Sequence, residues 1–411
     1  MMSEQNLTEL RINGQRLWQR LMTMAQIGKT AKGGVCRVTL TEEDRLGRDL
    51  FIQWCEAAGC TIEIDQMGSI FATRPGKRDD LDPVLACSHL DSQPTGGKFD
   101  GVLGVLAGLE VIETLNDHNI VTDYPITVAS WTNEEGARFT PAMIASGVYG
   151  GVFDLEYAYN RTDKEGITLL EALEAIGYKG EAPVGSQKFS AALEIHIEQG
   201  PLLEYEKKTI GVVTGVQGAR WYHLNFAGKE AHAGTTPTQV RQDPVKNMVA
   251  FLAKAYPHIE GQSEDMRLTF GEFRASPGVV NTIPGNLMLT MDMRHPNAAL
   301  LDKLEAWVEE LAAEHNATLE KIWDSPPIQF HEKCVAAVAR AAELTGETAR
   351  PIISGAGHDA VYVNRVTPTG MIFIPCEDGL SHNELEHADM EDVIGGGNVL
   401  LQAMLQLANE A

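Results

Sequence analysis

The chain has 411 residues, 44% hydrophobic and 22% charged, enough for two or three domains of roughly 150 residues with cores that need no disulfide framework. Lys and Arg total 33 against 57 Asp and Glu, a net charge of −24. That balance excludes general nucleic-acid binding, since phosphate contact needs a basic face, and any anionic substrate must be captured by a local positive site.

In chain order, Met1 to Leu10 is polar and has no signal-peptide pattern. Asn6 to Ala25 has helical periodicity. Thr41 with Asp44 resembles a capping box, opening a helix that ends at Gly59. Thr61 to Ile64 and Ser69 to Arg74 read as a hairpin, and Val84 to Ser88 as a buried strand. Gly101 to Leu115 is a helix whose Gly, Ala and Leu suit close packing on a sheet. Its apolar run, Val102 to Ile112, is interrupted by Glu110 and is too short to span a membrane. Ile126 to Thr132 and Ala191 to His196 are further strands. Strands alternating with helices predict an α/β layered domain.

The middle of the chain reads differently. Tyr222 to Ala227, Arg267 to Arg274, Leu287 to Met293 and Thr318 to Trp323 are expected strands. Pro244 to Tyr256 and Ala298 to His315 are expected helices. The order β-α-β-β-α-β matches a ferredoxin-like unit, between a Gly-rich stretch at Gly211 to Gly218 and a hinge at Ser325-Pro326-Pro327. The α/β pattern resumes with a helix at Lys333 to Leu344, strands near Ile352 and at Met371 to Ile374, and a helix at Asp389 to Leu407. One α/β domain (1–212 and 326–411) is therefore expected, with a smaller domain (213–325) inserted. The six cysteines (Cys36, Cys55, Cys60, Cys87, Cys334, Cys376) show no CxxC spacing and read as reduced thiols of a cytoplasmic protein.

Five segments set metal-capable side chains at or near expected strand ends, where open α/β sheets gather ligands. His89 and Asp91, two apart on extended chain, point the same way. One could bind a metal while the other orients it, or His89 could be a buried, hydrogen-bonded histidine. Asp100, in Gly96-Gly97-Lys98-Phe99-Asp100-Gly101, could bridge two cations or simply cap a helix. Glu134 and Glu135 form an adjacent acidic pair after an apolar strand, costly unless something positive or a shared proton compensates. One as ligand and one as general base would satisfy both, the base deprotonating a water acidified by metal. The other reading is a solvated acidic turn. Glu194, His196 and Glu198 share one strand face, a polar face that a metal would explain. His382 follows the strand at Met371 to Ile374, and His387 reads as a surface residue. The donors are N and O only, which suits Zn²⁺, Mn²⁺, Co²⁺ or Ni²⁺.

At this point the chain resembles the hydantoinase/carbamoylase branch of the dinuclear zinc aminoacylase and carboxypeptidase-like metallopeptidase clan. The stretches that carry the resemblance are SHLDSQPTGGKFDGVLGVLAGLE, WTNEEGARF, LEIHIEQGPLLE, GKEAHAGTTP, NTIPGNL, DMRHP, SGAGHDA and MIFIPCEDGLSHNELE. They implicate two divalent ions per subunit, one held by His89, Asp100 and His196, the other by Asp100, Glu135 and His382. Glu134 would be the general base, and Asp91 the partner of His89. The clan's commoner members carry an acidic ligand where this chain has His196, a departure that points into the carbamoylase branch. The fold implied is a mixed-sheet α/β catalytic domain with an inserted ferredoxin-like α+β lid and dimerisation domain. His232, Asn281 and Arg294 of that insert look like substrate-binding residues. His232 would donate to the oxyanion and Arg294 would fork onto the substrate carboxylate; Gln199, Gly357 and His358 would complete the pocket. Without the resemblance, Arg294 reads as a surface ion pair and His232 as a residue bonded within its own Gly-Thr loop.

The reaction implied is hydrolysis of the ureido C–N bond of N-carbamoyl amino acids, N-carbamoyl-β-alanine or N-carbamoyl-L-amino acids, in a homodimer with neither nucleic-acid nor membrane partner. Allantoate or ureidoglycolate hydrolysis is the alternative, since the ureido group and carboxylate are shared. A non-catalytic metal-binding protein would be expected to lack the base or a ligand, and this chain lacks neither.

Overall fold

Four strands, Val84–His89, Ile126–Trp131, Ala191–Ile197 and Thr369–Ile374, are buried at every position. Near-continuous apolar runs behave this way when helices cover both faces of a sheet. The computed structural model describes residues 7–409, which divide into two units. The first runs up to Thr214 and resumes at Phe330; the second is Gly215–Gln329.

The first unit opens with α1 (Gly14–Met24), α2 (Glu42–Ala57), β1 (Thr61–Ile64), β2 (Ile70–Arg74), β3 (Val84–His89), α3 (Val102–Asp117) and β4 (Ile126–Trp131). Short helices α4 (Ile144–Tyr149), α5 (Leu155–Tyr159) and α6 (Leu169–Ile176) lead to β5 (Ala191–Ile197), α7 (Leu202–Glu206) and β6 (Ile210–Val216). The second unit holds β7 (Gly218–Ala227), β8 (Ala231–His232), α8 (Pro244–Glu260), β9 (Arg267–Thr269), β10 (Phe273–Ser276), β11 (Thr282–Ile283), β12 (Asn286–His295), α9 (Ala298–Glu314), β13 (Ala317–Ser325) and β14 (Ile328–Gln329). The chain then adds α10 (Glu332–Thr345), β15 (Ala349–Ser354), α11 (Asp359–Val363), β16 (Thr369–Ile374) and α12 (Met390–Leu407) to the first unit.

The sheet of the first unit runs β1-β2-β4-β3-β5-β16-β6, with β15 also paired to β6. Strands β4, β3, β5 and β16 are parallel neighbours, β2 and β6 are antiparallel to them, and β1 is antiparallel to β2. The sheet is therefore mixed, with four carboxyl ends at one edge. Helix α3 packs on β3 and β5. At Gly104 a Cβ would lie 2.6 Å from the Ser88 Cβ, so the helix approaches the strand as closely as its glycine allows. In the second unit the order is β10-β12-β7-β13, all antiparallel, with β9 also on β12. Tyr222, Leu224 and Phe226 of β7 and Leu287, Leu289 and Met291 of β12 bury one sheet face under α8 and α9.

Several elements depart from expectation. The first expected helix is interrupted: Leu7 and Thr8 are helical, residues 9–13 are not, and the helix resumes at Gly14, where Asn13 accepts the Arg16 N–H; Asn6 lies outside the described residues. Thr41 caps α2 by accepting the Asp44 N–H, but Asp44 does not reciprocate as a capping box requires. Its carboxylate instead accepts from Leu40 N at 2.7 Å and from Arg48 Nε at 2.8 Å. The strand expected over Arg267 to Arg274 is split. Thr269 pairs with Asp292 but Phe273 with Leu289, so one extra residue sits on this strand, a β-bulge around Gly271. No helix of the described residues is long and apolar enough to cross a membrane, and all six cysteines are free.

Candidate metal centre

The carboxyl ends of β3, β4, β5 and β16 bring distant residues to one place. His89 is the last residue of β3 and His196 the penultimate residue of β5. Glu134 and Glu135 follow β4, His382 follows β16, and Asp100 sits in the loop entering α3. The Asp100 carboxylate lies between two groups. Its Oδ1 is 3.1 Å from His196 Nε2 and 3.5 Å from His89 Nε2. Its Oδ2 is 3.7 Å from His382 Nε2, which lies 3.2 Å from Glu135 Oε2. In each triad, His89–Asp100–His196 and Asp100–Glu135–His382, the ligand atoms all lie within 4.8 Å of one another.

The hydrogen-bond pattern at these imidazoles decides what they can hold. His89 Nδ1 is 2.9 Å from the Asp91 carbonyl and His196 Nδ1 is 2.9 Å from the Ile197 carbonyl. A carbonyl only accepts, so both rings carry a proton on Nδ1. Their Nε2 atoms, lone pairs outward, then face carboxylate oxygens, and His196 Nε2 also accepts the Gly101 N–H at 3.2 Å. Acceptor against acceptor is unfavourable unless a cation lies between, either an extra proton on the ring or a metal ion. None of Asp91, Asp100, Glu134 and Glu135 makes an ion pair with lysine or arginine among the described residues. The donor set thus fits divalent ions with N and O preference.

Electrostatics agree. Burial pulls the His89 pKa down, but Glu134, Asp100 and Asp91 outweigh it and raise it well above the usual value. His196 is raised in the same way, chiefly by Asp100. Burial would raise Asp100, yet His196 and His89 hold it well below the usual carboxylate range. Burial pushes Glu134 well above its ordinary value, against the opposing pull of His89. Its Oε2 is 3.5 Å from His89 Nε2.

Asp91 supports the centre differently from expectation. Its backbone carbonyl, not its carboxylate, takes the His89 ring proton; the carboxylate stands 3.7 Å off. That carboxylate instead accepts the N–H groups of Glu134 and Glu135, each at 3.3 Å, and so sets the acidic pair. Of the polar face expected around His196, Glu194 does join it, in a third group with His358 whose ligand atoms lie within 4.8 Å of one another, and Glu198 joins none among the described residues. Glu194 accepts from Ser88 Oγ and Ala360 N, and Glu198 from the N–H groups of Leu202 and Leu203.

Asp100, Glu134, Glu135, His196, Gln199, Gly357, His358 and His382 line one cavity of about 170 Å³ with Ala142, Met143 and Ala356. Gln199 Nε2 donates to Asp100 Oδ2 at 2.9 Å. The His358 ring packs edge-on to His196 with centroids 4.6 Å apart, and burial holds its pKa well below the usual value. Asn133, Gln199 and His382 have φ of 58°, 57° and 53°, left-handed conformations that non-glycine residues rarely adopt and that cluster at functional sites. The structure places His232, Asn281 and Arg294 in the second unit. His232 Nδ1 accepts the Gly234 and Thr235 N–H groups, which leaves its ring proton on Nε2. Asn281 is exposed, and Arg294 forks onto Asp292 at 2.8 to 3.1 Å. His387 is half-buried, edge-on to Phe99.

The structure adds residues that the sequence reading did not single out. Gln93 donates from its backbone and side chain to the two Glu135 oxygens at 3.1 and 2.8 Å. Ser381 donates to Asp100 Oδ2 at 2.7 Å, and Glu386 accepts from the Asp100 backbone. All three lie within two positions of residues already singled out (Asp91, His382 and His387), and that nearness was the available signal.

Residues 85–406 match the peptidase family M20/M25/M40. An N-carbamoyl-L-amino-acid amidohydrolase of Rhizobium meliloti is 46% identical over 97% of this chain and 97% of its own length. A hydantoinase/carbamoylase family amidase from Burkholderia multivorans superposes with a TM-score of 0.94 at 49% identity, covering 98% of this chain and 99% of that one. The chain belongs to the M20/M25/M40 family, in its hydantoinase/carbamoylase branch. An allantoate amidohydrolase of Bacillus subtilis is more distant, 29% identical over 94% of this chain and 95% of its own. The family is metal-dependent, in keeping with the donor groups described above.

Proposed function

We propose that this chain is a metal-dependent amidohydrolase that cleaves the carbamoyl C–N bond of N-carbamoyl-L-amino acids, releasing the amino acid, ammonia and carbon dioxide. The observation that carries the reading is Asp100, whose two oxygens face two separate imidazole groups beside the buried Glu134. The full-length likeness to an enzyme named for that substrate supports the choice of bond.

His89, Asp100 and His196 would hold one divalent ion, and Asp100, Glu135 and His382 a second, Zn²⁺ or Mn²⁺ by donor type. Bound there, such ions supply Lewis acidity that makes water more acidic and a carbonyl more electrophilic. Glu134, buried beside both ion groups, accepts as its carboxylate the proton of the attacking water. It then returns that proton to the nitrogen of the leaving amino acid. The carbamic acid left behind divides into ammonia and carbon dioxide. Asp91 keeps Glu134 and Glu135 in place through their backbone. His232, with its proton on Nε2, would donate to the oxyanion. Arg294 would supply the positive fork for the substrate carboxylate that a chain of this net charge requires, and Asn281, Gln199, Gly357 and His358 would bind the remainder. We further take the second unit as lid and dimerisation element and the protein as cytoplasmic, the latter supported by its free cysteines.

The test is ammonia release from N-carbamoyl-L-methionine, N-carbamoyl-β-alanine and allantoate, with Zn²⁺ or Mn²⁺ added. The carbamoyl L-amino acid should have the highest kcat/KM; a preference for allantoate would overturn the substrate assignment. Glu134→Gln should lose at least about 100-fold in kcat while metal content stays near two ions per chain. Retained turnover in that variant would overturn the base.

A further inference from the structure

Glu386 stands four residues beyond His382 and is 2% exposed. A buried carboxylate needs partners, and one oxygen of this one finds them on another loop, while its Oε2 is buried without any among the described residues. Its Oε1 accepts the N–H groups of Phe99 at 2.9 Å and of Asp100 at 3.1 Å. Around it the Asp100 loop is shaped to fit. A Cβ on Gly97 would lie 1.9 to 2.3 Å from the Glu386 carboxylate atoms, so only glycine leaves room for the carboxylate to reach the amides. On its own loop, Glu386 N donates to the Asn383 carbonyl at 3.0 Å and Leu385 N to the Asn383 side chain at 3.0 Å. These bonds close a turn directly after His382. Beside it, His387 meets Phe99 edge-on with ring centroids 6.0 Å apart.

We propose that Glu386 is a positioning residue that ties the His382 loop to the Asp100 loop and so holds the shared bridging carboxylate in register with both ion groups. The proposal rests on the reading of Asp100 and His382 as ligands. Glu386 grips the Asp100 backbone and leaves the Asp100 side chain to Ser381, Gln199 and the imidazoles. It therefore sets the ligand without competing for the ion. Because Asp100 belongs to both triads, loosening this one contact should weaken both sites together. An ordinary buried hydrogen bond would lower stability alone.

The experiment measures Zn²⁺ and Mn²⁺ affinity by chelator competition, with the metal-induced rise in Tm, on the full chain and its variants. Glu386→Ala should bind both ions roughly 10- to 100-fold more weakly, with a smaller metal-induced rise in Tm. Glu386→Gln keeps an acceptor oxygen and should recover most of the affinity. Gly97→Ala, which pushes a methyl group into the carboxylate, should reproduce the loss and serves if Glu386→Ala does not fold. Wild-type affinity in folded Glu386→Ala or Gly97→Ala, or a Gln variant as weak as Ala, would overturn the proposal. Asp100→Asn separates the underlying reading. If it binds metal as tightly as wild type, the ligand assignment is wrong and the positioning role falls with it; if it binds weakly while Glu386→Ala does not, only the positioning role fails.

Discussion

Burial alone makes Asp65 an unusual acid. Its side chain sits inside the first unit, accepting the Met67 and Ser69 N–H groups, and desolvation outweighs these bonds and lifts its pKa from 3.8 to about 7. The folded chain therefore binds more protons than the unfolded chain between those values. Its contribution to stability is fully present below the unfolded pKa and is lost as pH rises through the folded one. Asp65→Asn removes that titration. Its Tm relative to wild type should climb by a few degrees between about pH 4 and pH 8; a difference that stays flat across that range would refute the assignment. At this scale the sequence showed which side chains could bind ions. It did not show proton positions, because these depend on the carbonyls of Asp91 and Ile197 that the histidines happen to meet.

Among elements, α3 carries the sharpest conflict between pattern and environment. Glu110 interrupts an otherwise apolar helix and is fully buried. Its partner comes from α1: Arg16 Nε and Nη2 each donate to it at 2.7 Å, and Asn13 N donates at 2.9 Å. Removing one member of such a pair leaves an uncompensated buried charge. Arg16→Ala should therefore cost about 3 kcal/mol in urea unfolding, and a loss under about 0.5 kcal/mol, the value of an exposed pair, would show that Glu110 finds another donor. Periodicity announced α3, β3, β4 and β5, since apolar runs and glycines are local properties. The bulge in the β9–β10 strand was not legible, because it depends on the register against β12.

For the whole molecule, the second unit leaves β13 and β10 as the edges of its sheet, and every residue of β10 is exposed. Open edges invite pairing, and the family resemblance names this unit as the dimerisation element. Sedimentation should therefore report twice the mass of one chain; a single species of one-chain mass at micromolar concentration would reject the dimer.

The chemical parts were legible along the chain: alternating helices and strands, a β-α-β-β-α-β insert, and imidazoles and carboxylates spaced after apolar runs. Those features follow from local periodicity and residue chemistry. Folding in three dimensions added that four parallel strands end at one edge, that Asp100 stands between two triads, that the Asp91 carboxylate serves a backbone and not a ring, and that Glu386 reaches across to the Asp100 loop. Each of these is a meeting of residues far apart along the chain, and strand order and loop geometry, which no short window of sequence contains, set where they meet.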